Sequence, residues 1–208
     1  MMQAVFKDIR KGTYLNADGA DRPLISPVPQ STLDAARAYR LSRLRAELAR
    51  TDAAGLLLYD PVNIRYAFDS SNMQVWTAHN PMRYALILNG GRTILFEFKG
   101  CEHLNDGLPG IDERRNSINW MFMSRGNHAG HFLALWADEI ASLLPPGARL
   151  AVDRLDPPGV EALAARGITV RDGAEITEIA RSIKSPEEIA LMRWTIRVCE
   201  AGMARIYE

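Results

Sequence analysis

The sequence predicts an α/β domain, a mixed β-sheet flanked by helices. Three observations carry that reading. Ala53-Ala-Gly-Leu-Leu-Leu-Tyr59 is a short, continuous apolar run bounded by polar residues, the pattern of a buried central strand. The strand-like runs Arg83 to Leu88 and Thr93 to Phe98 flank Asn89-Gly90-Gly91, and Asn-Gly is the strongest hairpin signal in the chain. Leu150 to Asp153, Pro158 to Arg166 and Ile168 to Val170 read as strand, helix and strand, with Gly167 placed to cap the helix. A hairpin and a crossover in one chain require a sheet of mixed direction.

In chain order, residues 1–30 are rich in Pro, Gly, Asp and Gln without a period, and read as an amino-terminal arm. A helix follows, with Ser31 and Asp34 as a capping-box variant and Leu33, Leu41, Leu44 and Leu48 as one apolar stripe ending near Asp52. Asp60-Pro61 stops the central strand, and a helical turn is expected over Val62 to Ala67. Residues 100–112 read as loop with a helical turn, Ser117 to Met123 as a strand, and Ala129 to Leu144 as a helix closed by Pro145-Pro146-Gly147. In the last helix Ser185 is an N-cap, Pro186 takes the first helical position, and Glu187 and Glu188 lie in the first turn. Its apolar residues, Ile189, Met192, Ile196, Cys199, Met203 and Ile206, form a narrow seam that calls for a partner surface. The chain stops soon after, at Tyr207-Glu208, without a C-cap, so a truncated parent is expected.

Composition narrows the function classes. The 208 residues are 47% hydrophobic, enough for one sizeable core. Lys plus Arg and Asp plus Glu each number 25, so net charge offers no argument for nucleic acid or an anionic membrane. The arginines from Arg37 to Arg50 have no aromatic residues that build a stacking platform among them, Tyr39 standing alone, and read as a solvated helix face. The two cysteines, Cys101 and Cys199, form no CxxC or zinc spacing and suit a reducing compartment. No secretory h-region opens the chain and no apolar run is long enough to span a bilayer, so a cytoplasmic protein is expected.

Catalytic motifs are scarce. His128 and His131 have a spacing that can place two metal ligands on one face, but no third ligand stands nearby, and surface or capping histidines are the better reading. No Asp-x-Asp, Glu-x-x-His, G-x-S-x-G, P-loop or G-x-G-x-x-G occurs. Cys101, Glu102 and His103 are sequence neighbours, which rarely form a dyad. One segment is too polar and aromatic for plain scaffold: Asn63 to Tyr66, then Asp69 to Arg83, with Trp76, His79 and Asn80 inside it. Loops between a buried strand and a hairpin often hold binding residues, and Trp76 is of a type that lines a pocket for a cation or an apolar group. The plainer alternative is that Asn63, Arg65 and Asp69 satisfy backbone groups while Trp76 packs at an interface.

Two stretches resemble the creatinase, prolidase and aminopeptidase P superfamily. Arg181-Ser-Ile-Lys184-Ser185-Pro186-Glu187-Glu188-Ile189, with Met192-Arg193, is similar to the junction between its amino-terminal and pita-bread catalytic domains. Tyr59 to Tyr66 is similar to its strand-to-turn "N-I-x-Y" segment. The block Asp69 to Pro81 resembles, more narrowly, the dimethylsulfoniopropionate-lyase-like branch. The resemblance covers roughly residues 33–208; the first thirty match nothing named.

The resemblance implies a creatinase-type amino-terminal domain (α/β/α, ribonuclease H-like) over 31–184, and over 185–208 the first helix of a missing catalytic domain. It implies a homodimer whose amino-terminal domain covers the neighbouring active site. Divalent or transition metal ions belong to the missing domain, with no catalytic or metal-binding residue and no cofactor in this chain. Trp76 matches the tryptophan that helps enclose a sulfonium; His79 and Asn80 share its block. A cation over an indole face gains about 0.5–2 kcal/mol, enough to orient but not to catalyse. Two alternatives stay open: a parent that cleaves Xaa-Pro bonds, and a stand-alone binding or dimerisation module.

Overall fold

The computed structural model describes residues 28–206 and three short strands before them; of those strands and of residues 74–76, 201, 204 and 205 it describes the backbone alone. The chain divides into two compact units, residues 37–183 and residues 1–36 with 184–208.

The larger unit is built on a six-stranded sheet. Its strands are β4 (Gly55–Leu58), β5 (Tyr84–Leu88), β6 (Thr93–Glu97), β7 (Glu113–Asn116), β8 (Arg149–Val152) and β9 (Thr169–Asp172). Their order is β7-β6-β5-β4-β8-β9. β5 is antiparallel to both neighbours, while β6–β7, β4–β8 and β8–β9 pair in parallel, so the sheet is mixed as expected. The central strand is wholly buried, because helices cover both of its faces.

Alternation along the strands sorts the apolar side chains into two cores. On one face Leu56, Leu58, Ala85, Ile87 and Leu95 meet α1 (Gln30–Ala49), α2 (Pro61–Phe68) and α7 (Ala174–Ser182) through Leu44, Leu48, Ile64, Phe68 and Ile176. On the other, Leu57, Tyr84, Leu86, Phe96 and Leu150 meet α5 (Ala129–Ser142) and α6 (Pro157–Ala164) through Trp136, Ile140 and Leu163. The result is three layers, α/β/α.

Several expectations need correction. α1 begins at Gln30, so Ser31 lies within the helix; Gln30 Nε2 donates to Asp34 Oδ1 at 2.8 Å instead. The strand expected over Ser117 to Met123 is displaced to Glu113–Asn116. Glu-Arg-Arg-Asn has no apolar signal because β7 is an edge strand, half-exposed in alternation. The apolar stretch after it plugs the core from a loop through Trp120, 8% exposed, and then forms one helical turn, α4 (Phe122–Arg125). α7 carries no expectation in the sequence reading, although Ile176 and Ala180 bury one face of it.

In the smaller unit, β1 (Val5–Asp8), β2 (Thr13–Leu15) and β3 (Asp21–Pro23) form an antiparallel meander where the sequence reading has only an arm. The rest of residues 1–27 lies outside the described residues. α8 (Pro186–Ile206) opens with a closed capping box: Glu188 N–H donates to Ser185 Oγ at 3.2 Å, and Ser185 N–H to Glu188 Oε2 at 3.1 Å.

Candidate functional site

The polar segment between α2 and β5 starts at a tight turn. Asp60 caps α2, accepting from Val62 N–H at 2.7 Å and Asn63 N–H at 3.4 Å. The helix ends at Asp69, whose φ of 55° is left-handed; its N–H returns to Arg65 O at 2.8 Å. Aspartate is among the few residue types that accept this conformation. Its carboxylate takes Arg37 of α1 at 2.7 Å. Arg37 is thus committed to an ion pair, as are Arg43, Arg45 and Arg50; Arg45 and Arg50 are solvated as expected, whereas Arg37 and Arg43 are largely covered by their packing and ion pairs.

The segment ends at Arg83, where β5 begins. The hairpin register pairs Tyr84 with Phe96, which sets Arg83 across from Glu97. The two side chains are 2% and 1% exposed and meet at 2.6 Å. Glu97 takes four donors in all: Arg83 Nε at 2.6 Å, Asn72 Nδ2 at 3.0 Å, Asn105 Nδ2 at 3.0 Å and its neighbour's Phe98 N–H at 2.9 Å. Arg83 also donates to Ser70 Oγ, and to Asn105 Oδ1 at 3.3 Å; Ser70 donates to Asn105 Oδ1. A buried ion pair is tolerated only when its remaining donors and acceptors are met in this way.

Between these anchors lies a short helix, α3 (Gln74–His79), in what the sequence reading leaves as loop. Thr77 Oγ1 donates back to Asn72 O at 3.2 Å, and Arg154 donates to Ala78 O at 2.8 Å. The three predicted binding residues have different placements. Trp76 lies in α3, with its side chain outside the described residues; His79, at the end of the helix, is exposed; Asn80, just beyond, is 3% exposed and buried.

A second polar group sits where β4 and β8 end. Asp153 accepts from Tyr59 N–H at 2.7 Å, Asp60 N–H at 3.2 Å and Asn63 Nδ2 at 3.0 Å; Asn63 Oδ1 accepts from Arg181 at 3.1 Å. Burial raises the Asp153 pKa above the usual carboxylate value, against the opposing pull of those hydrogen bonds. Burial likewise pushes the Tyr59 hydroxyl far up, so it stays neutral.

Neither group fits a metal pair. Asp153 spends both oxygens on Tyr59 N–H, Asp60 N–H and the Asn63 amide, Asp60 Oδ1 is taken by the cap of α2, and among the described residues no three His, Cys, Asp or Glu cluster to hold an ion. His128 and His131 are both exposed, and His131 sets its ring against the edge of Phe132. Glu102 accepts from Gly100 N–H at 2.8 Å. A cavity of about 410 Å³ lined by Glu47, Arg50, Asp52, Arg171 and Glu175 contains none of the predicted residues.

Sequence reasoning missed Glu97, Asn105 and Asp153, while Ser70 lies in the segment it singled out but was given no role. The signal for Glu97 was a lone charge closing the apolar run Thr93-Ile-Leu-Phe, at the position opposite Arg83 once the Asn89-Gly90 turn sets the register. Asn105 and Asp153 had no comparable signal.

No protein-family model matches the sequence. The chain is 38% identical over 178 residues to the dimethylsulfoniopropionate lyase DddP of Roseobacter denitrificans, and 36% identical over 172 residues to that of Roseovarius nubinhibens. These matches take in 84% and 81% of this chain but 40% and 39% of the relatives, so the chain spans about two fifths of the curated proteins it matches. Among solved structures, an Xaa-Pro dipeptidase from Bacillus anthracis has a TM-score of 0.55 at 18% identity, over 82% of this chain and 43% of its own. The prolidase from Pyrococcus horikoshii OT3 has a TM-score of 0.55 at 16% identity, over 81% of this chain and 42% of its own. At such identities the likeness is one of fold. The chain has the creatinase-type amino-terminal fold, and the sequences it resembles are those of two dimethylsulfoniopropionate lyases.

Proposed function

We propose that this chain is the non-catalytic amino-terminal domain of a longer, metal-dependent pita-bread enzyme that cleaves dimethylsulfoniopropionate. The observation that carries the reading is the 38% identity over 178 residues to a lyase of that activity. In this reading residues 31–184 form the domain, and α8 is the first helix of a catalytic domain that holds the metal ions and supplies the bond cleavage. The apolar seam of α8 supports this: Ile189, Met192, Ile196 and Met203 are 41%, 49%, 52% and 55% exposed, a stripe suited to a further packed layer.

The domain's own part is binding. Trp76, His79 and Asn80 contact the substrate, and the indole orients the sulfonium. The protein acts as a homodimer in which this domain covers the neighbouring active site. Cys101 and Cys199, both free, favour a reducing, cytoplasmic setting. No helix among the described residues is long and apolar enough to cross a membrane, and zero formal net charge offers nucleic acid no footprint.

The rival reading, an Xaa-Pro peptidase, shares the fold equally. The test is the protein carrying this domain, loaded with metal and offered dimethylsulfoniopropionate and Xaa-Pro dipeptides. Acrylate release whose kcat/KM falls roughly ten-fold in Trp76→Ala, without vanishing, supports the lyase. Dipeptide hydrolysis without acrylate release sinks it.

A further inference from the structure

We propose that Arg83 is a positioning residue acting through Trp76: its closure on Glu97 and Ser70 fixes both ends of segment 69–83 and so sets the place of α3. Its consequence for substrate rests on the binding role proposed above, while the positioning itself does not.

The topology of the network leads there. Ser70 and Asn72 precede α3 and Arg83 follows it; Ser70 donates to Asn105, Asn72 donates to Glu97 and Arg83 donates to both, and these two acceptors lie outside the segment. α3 is only six residues long, far below the length at which a helix persists alone, so its order comes from its anchors. The sheet does not depend on the pair in the same way. Tyr84, Leu86, Ile94 and Phe96 are 0% exposed on one face and Ala85, Ile87 and Leu95 are 0% exposed on the other, so apolar packing holds the hairpin. Loss of the pair therefore loosens the segment before the strands. The guanidinium is specific to the task, because one planar fork reaches the Glu97 carboxylate and the Ser70 hydroxyl at once. A lysine supplies one compact charge and keeps only one of those anchors.

The experiment has two arms. In the first, peptide-resolved amide exchange is compared in the wild type, Arg83→Lys and Arg83→Met/Glu97→Gln. The last removes both charges, so no buried charge is left uncompensated and the fold is preserved. Exchange is expected to accelerate roughly ten-fold or more over residues 70–82 and to change less than about two-fold over residues 84–97. Equal acceleration in both stretches, or none in the first, overturns the proposal. In the second, kcat/KM for dimethylsulfoniopropionate is measured for Arg83→Lys in the wild-type and Trp76→Ala backgrounds of the metal-loaded parent. A fall of roughly ten-fold in the first background, against less than about two-fold in the second, marks a residue that acts through Trp76. Equal falls overturn it. A wild-type enzyme that releases no acrylate removes the lyase reading and leaves the exchange arm to decide the positioning.

Discussion

Replacing Asp153 tests whether the end of the central strand is held from β8. Its carboxylate collects Tyr59 N–H, Asp60 N–H and the Asn63 amide at 2.7, 3.2 and 3.0 Å. Asp153→Ala leaves three donors without that acceptor. A stranded buried donor costs about 1–3 kcal/mol, but this edge is only partly buried and water reaches some of the donors, so the expected total is about 2–4 kcal/mol. Asp153→Asn keeps one acceptor and points an N–H pair at donors, for an expected loss of about 1–2 kcal/mol. The two variants also differ from the wild type in pH dependence. Burial raises the folded pKa of Asp153 above its unfolded value, so the folded state binds the proton more tightly. That contribution is complete below the unfolded value, about pH 4, and is lost as pH rises through the folded value. Asp112 and Glu113 have lowered pKa values, chiefly from hydrogen bonds to Thr93 N–H and to Arg115 respectively, and act in the opposite sense, but they are common to wild type and variant and cancel. Urea unfolding at about pH 7 and about pH 4 should thus show the gap between wild type and Asp153→Asn widening on acidification. A gap that stays constant or narrows refutes the reasoning, as does an Asp153→Ala cost below about 1 kcal/mol.

Three further outcomes are expected from unfolding measurements on the same chain. Trp136→Ala, which removes a side chain 0% exposed and packed on Trp120 at 5.6 Å, should cost about 3–5 kcal/mol. Gly173→Ala should cost about 1–3 kcal/mol, because its new Cβ would stand 2.9 Å from the Val152 backbone, whereas Gly167→Ala, with φ at 76° and open space around it, should lose only about 1 kcal/mol to backbone strain. Ser185→Ala opens the capping box of α8 and should cost about 1 kcal/mol, read as lower helicity by circular dichroism.

Much of the fold was legible because its signals are local. The hairpin lay in Asn89-Gly90, and β4 in an unbroken apolar run whose side chains Leu56, Leu57 and Leu58 are all 0% exposed. The first turn of α8 was readable to the residue, since Ser185 and Glu188 complete a motif that depends only on spacing. β7 and α3 were hidden for the opposite reason. β7 is an edge strand recruited by pairing with β6, and its Glu-Arg-Arg-Asn carries no intrinsic preference. α3 is held by groups distant in sequence, so no local period announces it.

The candidate site was legible by composition and not by arrangement. The polar block drew attention to Trp76, His79 and Asn80, and of these His79 is exposed while Asn80 is buried. The residues that hold the block in place, Glu97 and Asn105, sit in what looked like strand and loop. Their role exists only through contacts across the hairpin and its following turn, which composition cannot express.

The hairpin works as a caliper. Its tip is the turn Asn89-Gly90-Gly91 and its jaws are Arg83 and Glu97, brought level by the count of residues on either arm. A single residue added at the tip would slide one arm past the other and turn alternate side chains to the wrong face. The jaws would then miss each other although neither had changed. The length of a solvent-exposed bend is therefore set by a charge contact at the far end of the strands, and lengthening the bend should injure that contact as surely as replacing Arg83.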